Sequence, residues 1–291
     1  MAYLIPRDYQ VNIQDVNIQQ IISADESVRD RAQLSGEAEA KSYLKQKYYI
    51  GREFQDMSPF SMSQTYFPFQ RFYLDAAPYN TATSYGAGNL VLYSGNIYSC
   101  TGSTIGPFAP ANWELYGAQY AIFTFKLPNP EFNYNSFYNV NDLVVWNNRN
   151  YKCRVQTAAL VHETALQYRT IENLPLQNIA PDDPISGAAY WQNMSACSVG
   201  GTKPTDTTKF TKSDDRDAQM VLYLCDIVLY HLHSRIAPRN IPELRVKRYD
   251  DAIAWLKMCA DGSITPNLPL IQPKQGSRIR YGGNIKQINS Y

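Results

Sequence analysis

The residues best able to do chemistry are few and badly spaced for it. The chain has three histidines. His231 and His233 lie two apart in a stretch that reads as helix, so their side chains point roughly 200° apart and cannot grip one metal ion. They read as core or interface residues. His162-Glu163 is an isolated pair with no second histidine at metalloprotease spacing. Asp182-Asp183 precedes Pro184 and suits a turn. Asp214, Asp215 and Asp217 read as the acidic start of a helix, where the macrodipole favours negative charge. No phosphate loop, dinucleotide glycine fingerprint or nucleophile elbow occurs. The 5 cysteines are odd in number and irregularly spaced, which argues against a disulfide framework, and each sits beside apolar residues as a small hydrophobe. The expectation is a protein that is not an enzyme, with no catalytic, metal or cofactor site.

Composition sets the remaining bounds. Hydrophobic residues at 44% suffice for ordinary cores, charged residues at 18% are too few for a disordered chain, and 291 residues allow two domains. The 23 tyrosines stand out; rings with a hydroxyl suit protein and ligand contacts. Net charge is +1, so no global field draws the chain to nucleic acid. Met1–Pro6 begins no signal peptide. The longest apolar block, Met220–Leu232, contains Asp226 and His231 and is too short to span a bilayer. A reducing cytosol is the expected folding compartment.

Both chain ends read as helical. Ser35 is placed as an N-cap, with Glu37 and Glu39 in the first turn, Ala40, Tyr43 and Leu44 on one face and Gly51 as the stop. Val16–Ile22 and Val28–Leu34 read as two shorter helices. Near the other end, Ser213 caps a segment that is apolar nearly all round, and such a helix must be covered by its own fold or by neighbouring subunits. Pro242 opens a further helix whose stripe is Tyr249, Ala252, Trp255, Leu256 and Cys259, closed by Gly262. Between the two ends, residues 55–205 are aromatic, Asn- and Pro-rich and strand-like.

That middle region repeats itself. "SYGAGNLVLYSGNIYSC" (84–100) and "FYNVNDLVVWNNRNYKC" (137–153) align with Tyr85 on Tyr138, Asn89 on Asp142, Tyr93 on Trp146, Tyr98 on Tyr151 and Cys100 on Cys153. Ser94-Gly95 and Asn147-Asn148 tolerate the positive φ of a two-residue hairpin turn. Each copy reaches a tryptophan, Trp113 or Trp191, the second delayed by an insertion of roughly 25 residues. The pattern resembles the small chitin- and cellulose-binding modules. The resemblance implies Val91, Tyr98 and Trp113, and Val144, Tyr151 and Trp191, as the core of each unit. The sites where those modules stack sugar read "CTGST" and "CRVQT" here, without a ring. Tyr85, Tyr93, Tyr138 and Trp146 are left as candidate glycan or partner contacts.

The flanks carry a second resemblance. "YLIPRDYQ", "AKSYLKQKYYIGREF" and, above all, an apolar helix ending "LYHLHSR" followed by "RVKRYDDAIAWLK" resemble the Mu-type head–tail connector (neck) proteins of tailed bacteriophages. The resemblance implies a small helical domain assembling as a dodecameric ring of identical chains under the portal protein. It would offer a platform to the next ring or tail proteins, while genomic DNA slides through the lumen without sequence-specific binding. Leu222, Leu229, Tyr230, Arg248, Lys274, Arg278 and Arg280 are the candidate oligomer or portal contacts; Lys286 extends the basic set.

The expected architecture is α+β. A helical connector domain of about four helices, from 1–55 and 213–262, is interrupted by an all-β insert. The insert runs through a connecting segment (56–77), β-unit 1 (78–118), β-unit 2 (119–198) and a flexible linker (199–212), and an extended arm (263–291) follows the last helix. The expected role is a structural protein of the virion neck or tail, assembled in the host cytoplasm without a membrane partner. The alternative is a carbohydrate-binding accessory virion protein. A secreted glycosidase is disfavoured, for want of a signal peptide and a carboxylate pair.

Overall fold

The computed structural model describes residues 3–10, 12–22, 25–134, 136–156, 179–185, 187–236 and 241–271. His162, Glu163, Lys274, Arg278, Arg280 and Lys286 lie outside the described residues. The fold is α+β. No helix among the described residues is long and apolar enough to cross a membrane.

The helices of the chain ends are α1 (Pro6–Tyr9), α2 (Asp15–Ile22), α3 (Glu26–Leu44), α4 (Ile50–Glu53) and, after the β-rich middle, α6 (Ala218–Ile236) and α7 (Glu243–Asp261); a short α5 (Gly187–Tyr190) lies between. The two ends share one core. Tyr3, Tyr9, Ile18, Ile22, Ala40, Leu44 and Tyr48 pack with Met220, Leu224, Val228, Leu232, Trp255 and Leu256. Helix α6 is the middle of this body, packed against α1, α2, α3 and α7. Of the two coverings open to so apolar a helix, its own fold supplies most, while Leu222 stays 39% exposed.

Two helix boundaries also differ from expectation. Asp25, not Ser35, caps α3, its carboxylate accepting from the Ser27 N–H at 3.0 Å. Ser35 sits mid-helix with its hydroxyl donating to the Arg31 carbonyl, the back-bond that lets serine remain inside a helix. Ser213 does not cap α6; Asp217 does, accepting from the Met220 N–H at 2.8 Å while its other oxygen accepts from the Asn267 N–H at 2.9 Å. Asp217→Ala should therefore cost about 1–2 kcal/mol, read as a lower urea midpoint with an unchanged slope. Helix α7 follows Pro242 and ends on Gly262 at φ +94°, the left-handed cap the sequence calls for.

The β-rich middle contains more than two repeats. Strands β1 (Ser58–Pro59), β3 (Arg71–Tyr73), β7 (Ile122–Phe125) and β12 (Phe210–Lys212) form a four-stranded sheet in that order, with β1 parallel to β3 and the other pairs antiparallel. Strand β2 (Thr65–Tyr66) pairs with β11 (Val199–Gly200). An aromatic core fills this body. Phe72 stacks on Phe123 at 5.5 Å and meets Phe210 edge-on at 5.0 Å, with Phe60 and Tyr66 alongside. The segments read as a connector (56–77) and a flexible linker (199–212) thus supply strands to both of these sheets, and residues 122–125, read as part of β-unit 2, belong to the four-stranded one.

Each repeat is a three-stranded sheet: β4 (Leu90–Tyr93), β5 (Asn96–Cys100) and β6 (Trp113–Ala118) in the first, β8 (Leu143–Trp146), β9 (Arg149–Cys153) and β10 (Trp191–Ala196) in the second. They share several hydrogen bonds at equivalent positions. Cys100 N–H donates to the Asn89 carbonyl as Cys153 N–H does to Asp142, and Asn80 N–H donates to the Tyr85 hydroxyl as Asn133 N–H does to Tyr138. Ser94 and Gly95, like Asn147 and Asn148, have positive φ at both turn positions, the geometry whose twist suits a hairpin.

The chain divides into two compact units. The first comprises Met1–Pro130, Asn148–Asn150 and Ser195–Ile271; the second comprises Glu131–Asn147 and Tyr151–Met194 among the described residues. The first unit thus holds the helical body, the four-stranded sheet and β-unit 1. The second has its own core of Phe132, Tyr138, Val144, Tyr151, Cys153 and Trp191.

Candidate functional site

The densest set of charges in the first unit ties its helical body to its sheet. Arg71 on β3 is buried; its Nη1 donates to the Glu53 carbonyl at 2.9 Å, Nη2 to Glu53 Oε2 at 3.2 Å and Nε to Asp215 Oδ1 at 2.6 Å. The Tyr3 hydroxyl donates to the other Glu53 oxygen at 2.6 Å. Arg216, just before α6, is 6% exposed. Nε donates to Asp214, Nη1 to Asp8 and the Tyr3 carbonyl, and Nη2 to Asp8 and Asp214, all within 3.0 Å. A guanidinium has five N–H donors, and here all are matched. A network whose donors and acceptors answer one another fixes geometry. The sequence reading took Asp214 and Asp215 for helix-start charges; both are instead partners of buried arginines. Arg71 carried no local signal, because Glu53 and Asp215 come from distant segments, and of the Arg216 partners only Asp214 is local.

The thiols point away from nucleophilic chemistry too. Burial pushes the Cys153, Cys197 and Cys225 thiols up, and that of Cys259 up to about 11, so they stay protonated near neutrality. No group of three or more metal-ligating side chains gathers among the described residues. His231 bonds Glu39 at 3.0 Å, and His233 bonds the Leu229 carbonyl at 2.7 Å. The two rings have separate partners. Glu39 also accepts from the Tyr249 hydroxyl at 2.6 Å.

The outer face of the α6–α7 pair is more open. Leu222 on α6 is 39% exposed, and on α7 Leu244 is 60% and Met258 38% exposed. Along α7, Leu244, Arg248, Asp251, Ala254 and Met258 follow helical spacing, and a hollow of about 280 Å³ lies among Tyr223, Asp226, Arg248, Trp255 and Met258. Trp255 is buried there, and its indole N–H finds no acceptor among the described residues. Of the interface candidates from sequence, Leu222 and Arg248 are on this face. Tyr230 is half-buried and stacks on Tyr249 at 4.1 Å. Leu229 is corrected: it is fully buried in the helical core and has no surface to offer a partner. Leu244 and Met258 were missed by sequence reasoning, although their spacing from Arg248 and Asp251 marks the polar side of the helix on which they stand out.

In the β-units, Val91, Trp113, Val144, Tyr151 and Trp191 are buried and Tyr98 is half-buried. The positions considered for glycans are occupied by the chain itself. Tyr138 is buried, the Trp146 indole donates to Asp182 at 2.7 Å, and the Tyr85 hydroxyl accepts from Asn80. Tyr93 is 40% exposed, but Phe108 stacks on its face at 3.9 Å. Asp182, read as part of a turn, thus also anchors that turn to β8, its second oxygen accepting from the Asn147 amide.

A protein-family model described as "Bacteriophage Mu, Gp36" matches residues 218–278, beginning with the α6–α7 pair. None of the curated proteins matches the chain. The family match supports a Mu-type bacteriophage protein and, with it, a virion-related structural protein.

Proposed function

We propose that this chain is a head-to-tail adaptor of a phage virion, that its helical body forms a ring of identical copies beneath the portal, and that its β-rich insert contacts other virion proteins. One observation carries the reading: the family match falls on α6 and α7, the pair on which Leu222, Leu244 and Met258 are each exposed. An apolar stripe crossed by Arg248 and Asp251 suits burial against another protein, with charges setting register. Net charge of +1 suits a conduit past which DNA slides, because few counterions would be released on contact. Twelve copies, as in the neck assemblies that the sequence resembles, is the working stoichiometry. The chain has no catalytic part in this scheme. Glycan binding lacks an equivalent observation, since rings at the expected positions are buried, hydrogen-bonded or stacked on other rings.

The test is native mass spectrometry of the chain alone and with the portal of the same phage. A ring is expected, on the portal if not free. The double variant Leu244→Asp, Met258→Asp should stay monomeric with an unchanged far-ultraviolet spectrum. A wild-type chain that remains monomeric even on portal rings would contradict the reading.

A further inference from the structure

A groove of about 690 Å³ opens on the helical body. One wall comes from residues 12–14 and α2, the other from His233 of α6 and Pro242 and Arg245 at the start of α7. Side-chain amides of Asn12, Gln14, Asn17 and Gln20 face it, Ile13 and Ile21 add apolar surface, and no carboxylate lines it among the described side chains.

Behind this wall Arg245 and Arg248 share one carboxylate, that of buried Asp226, at 3.7 and 3.5 Å. Arg245 Nη2 donates to the Asn12 carbonyl and Arg248 Nη1 to Asn12 Oδ1, each at 2.9 Å. Arg245 Nη1, the atom 3.7 Å from Asp226 Oδ1, and Asn12 Nδ2 are buried without a hydrogen-bond acceptor among the described residues. Arg248 is 38% exposed and lines a hollow with Asp251, whereas the Arg245 side chain is 13% exposed and shares Asp226, so Arg245 is the guanidinium that a further anion would stabilise. Burial drives the Arg245 pKa down, and the attraction of Asp226 offsets this only in part.

We propose that the groove is a docking site for an extended acidic peptide segment of a partner protein, with a carboxylate seated against Arg245 and the peptide backbone held by the amide side chains opposite. Charge complementarity selects the occupant. Carboxamides both donate and accept, as a peptide backbone requires, and the guanidinium fork matches a carboxylate. A nucleic-acid backbone would ask for several cations in a row, and the described side chains of this groove include one guanidinium and one imidazole.

The test is fluorescence anisotropy on the full chain with labelled hexaglutamate, labelled hexaglutamine and a labelled DNA duplex, at low ionic strength. Hexaglutamate should bind and hexaglutamine should not. Affinity should fall at least about tenfold, the value of one charged hydrogen bond, in Arg245→Gln and in Asn17→Trp. The latter fills the groove from an exposed position and leaves the buried cluster intact. Folded wild type that ignores hexaglutamate would overturn the proposal, as would unchanged binding in Asn17→Trp. So would a DNA duplex that binds more tightly and displaces the peptide. The measurement needs no ring, so its failure would leave the adaptor reading standing, and the converse also holds.

Discussion

Arg216→Ala is expected to remove about 3–5 kcal/mol of stability from the first unit, because breaking a buried ion pair strands its partners. Asp8 would lose both of its bonds to this guanidinium and Asp214 its two side-chain bonds, while the Tyr3 carbonyl would lose a donor. Arg216 also lies over the Tyr3 ring at 5.5 Å. Urea unfolding followed by far-ultraviolet circular dichroism should show the midpoint falling sharply with little change of slope. Arg216→Lys should fall between, since an ammonium keeps the charge and loses the fork. A loss under about 1 kcal/mol for the alanine variant would mean that the network is not what joins helices to sheet.

The same residue predicts a pH dependence. Burial alone would raise the Asp214 carboxyl, but hydrogen bonds and charge from Arg216 outweigh it and hold the pKa below the usual carboxylate value. A carboxyl depressed in the folded state stabilises the fold above its unfolded pKa, about 3.9, and that contribution disappears as pH falls through the folded value. Wild type should therefore lose stability as the pH is lowered below about 4, and Arg216→Ala should lack this part of the acid limb.

Gly36→Val should be the second severe change. A Cβ at position 36 would meet Val228 Cγ2 at 2.9 Å and Ile227 Cγ2 at 3.3 Å, both branched side chains packed in the core. Glycine therefore sets how closely α3 approaches α6, and this is the contact on which the body from both chain ends depends. Overpacking of this kind costs up to about 3 kcal/mol, masked only slightly by the roughly 0.3 kcal/mol that a helix gains when valine replaces glycine. Gly36→Ala should show a smaller net loss. If Gly36→Val unfolds at the wild-type urea concentration, the two helices are not held at the spacing described.

The same glycine shows what sequence does and does not reveal. Ser35-Gly36 looks like a break because local propensity says so, yet a helix runs through it because close packing on α6 needs the missing Cβ. Signals that are both local and stereochemical were legible. Ser94-Gly95 and Asn147-Asn148 announced two hairpins, Gly262 announced a helix end, and the stripe Ala252, Trp255, Leu256, Cys259 announced the buried side of α7. The four-stranded sheet was not legible. Its strands are two to four residues long, too short for alternation to show, and they come from segments separated by whole β-units. Arg71 and Asp215 are 144 positions apart, so nothing local links them. Leu229, named as an interface candidate, lies on an apolar helix that either its own fold or neighbouring subunits could have covered; four other helices of the chain, three from its first fifty residues, bury it.

The most direct test of the account is a cryo-electron microscopy reconstruction of the neck of the intact phage particle. The account predicts a ring of copies of this chain directly beneath the portal, with the outer face of α6 and α7 at a protein contact and the β-rich insert against a neighbouring component. Finding the chain only at the distal tail or on fibres, or finding Leu222, Leu244 and Met258 facing solvent in an assembled ring, would contradict it.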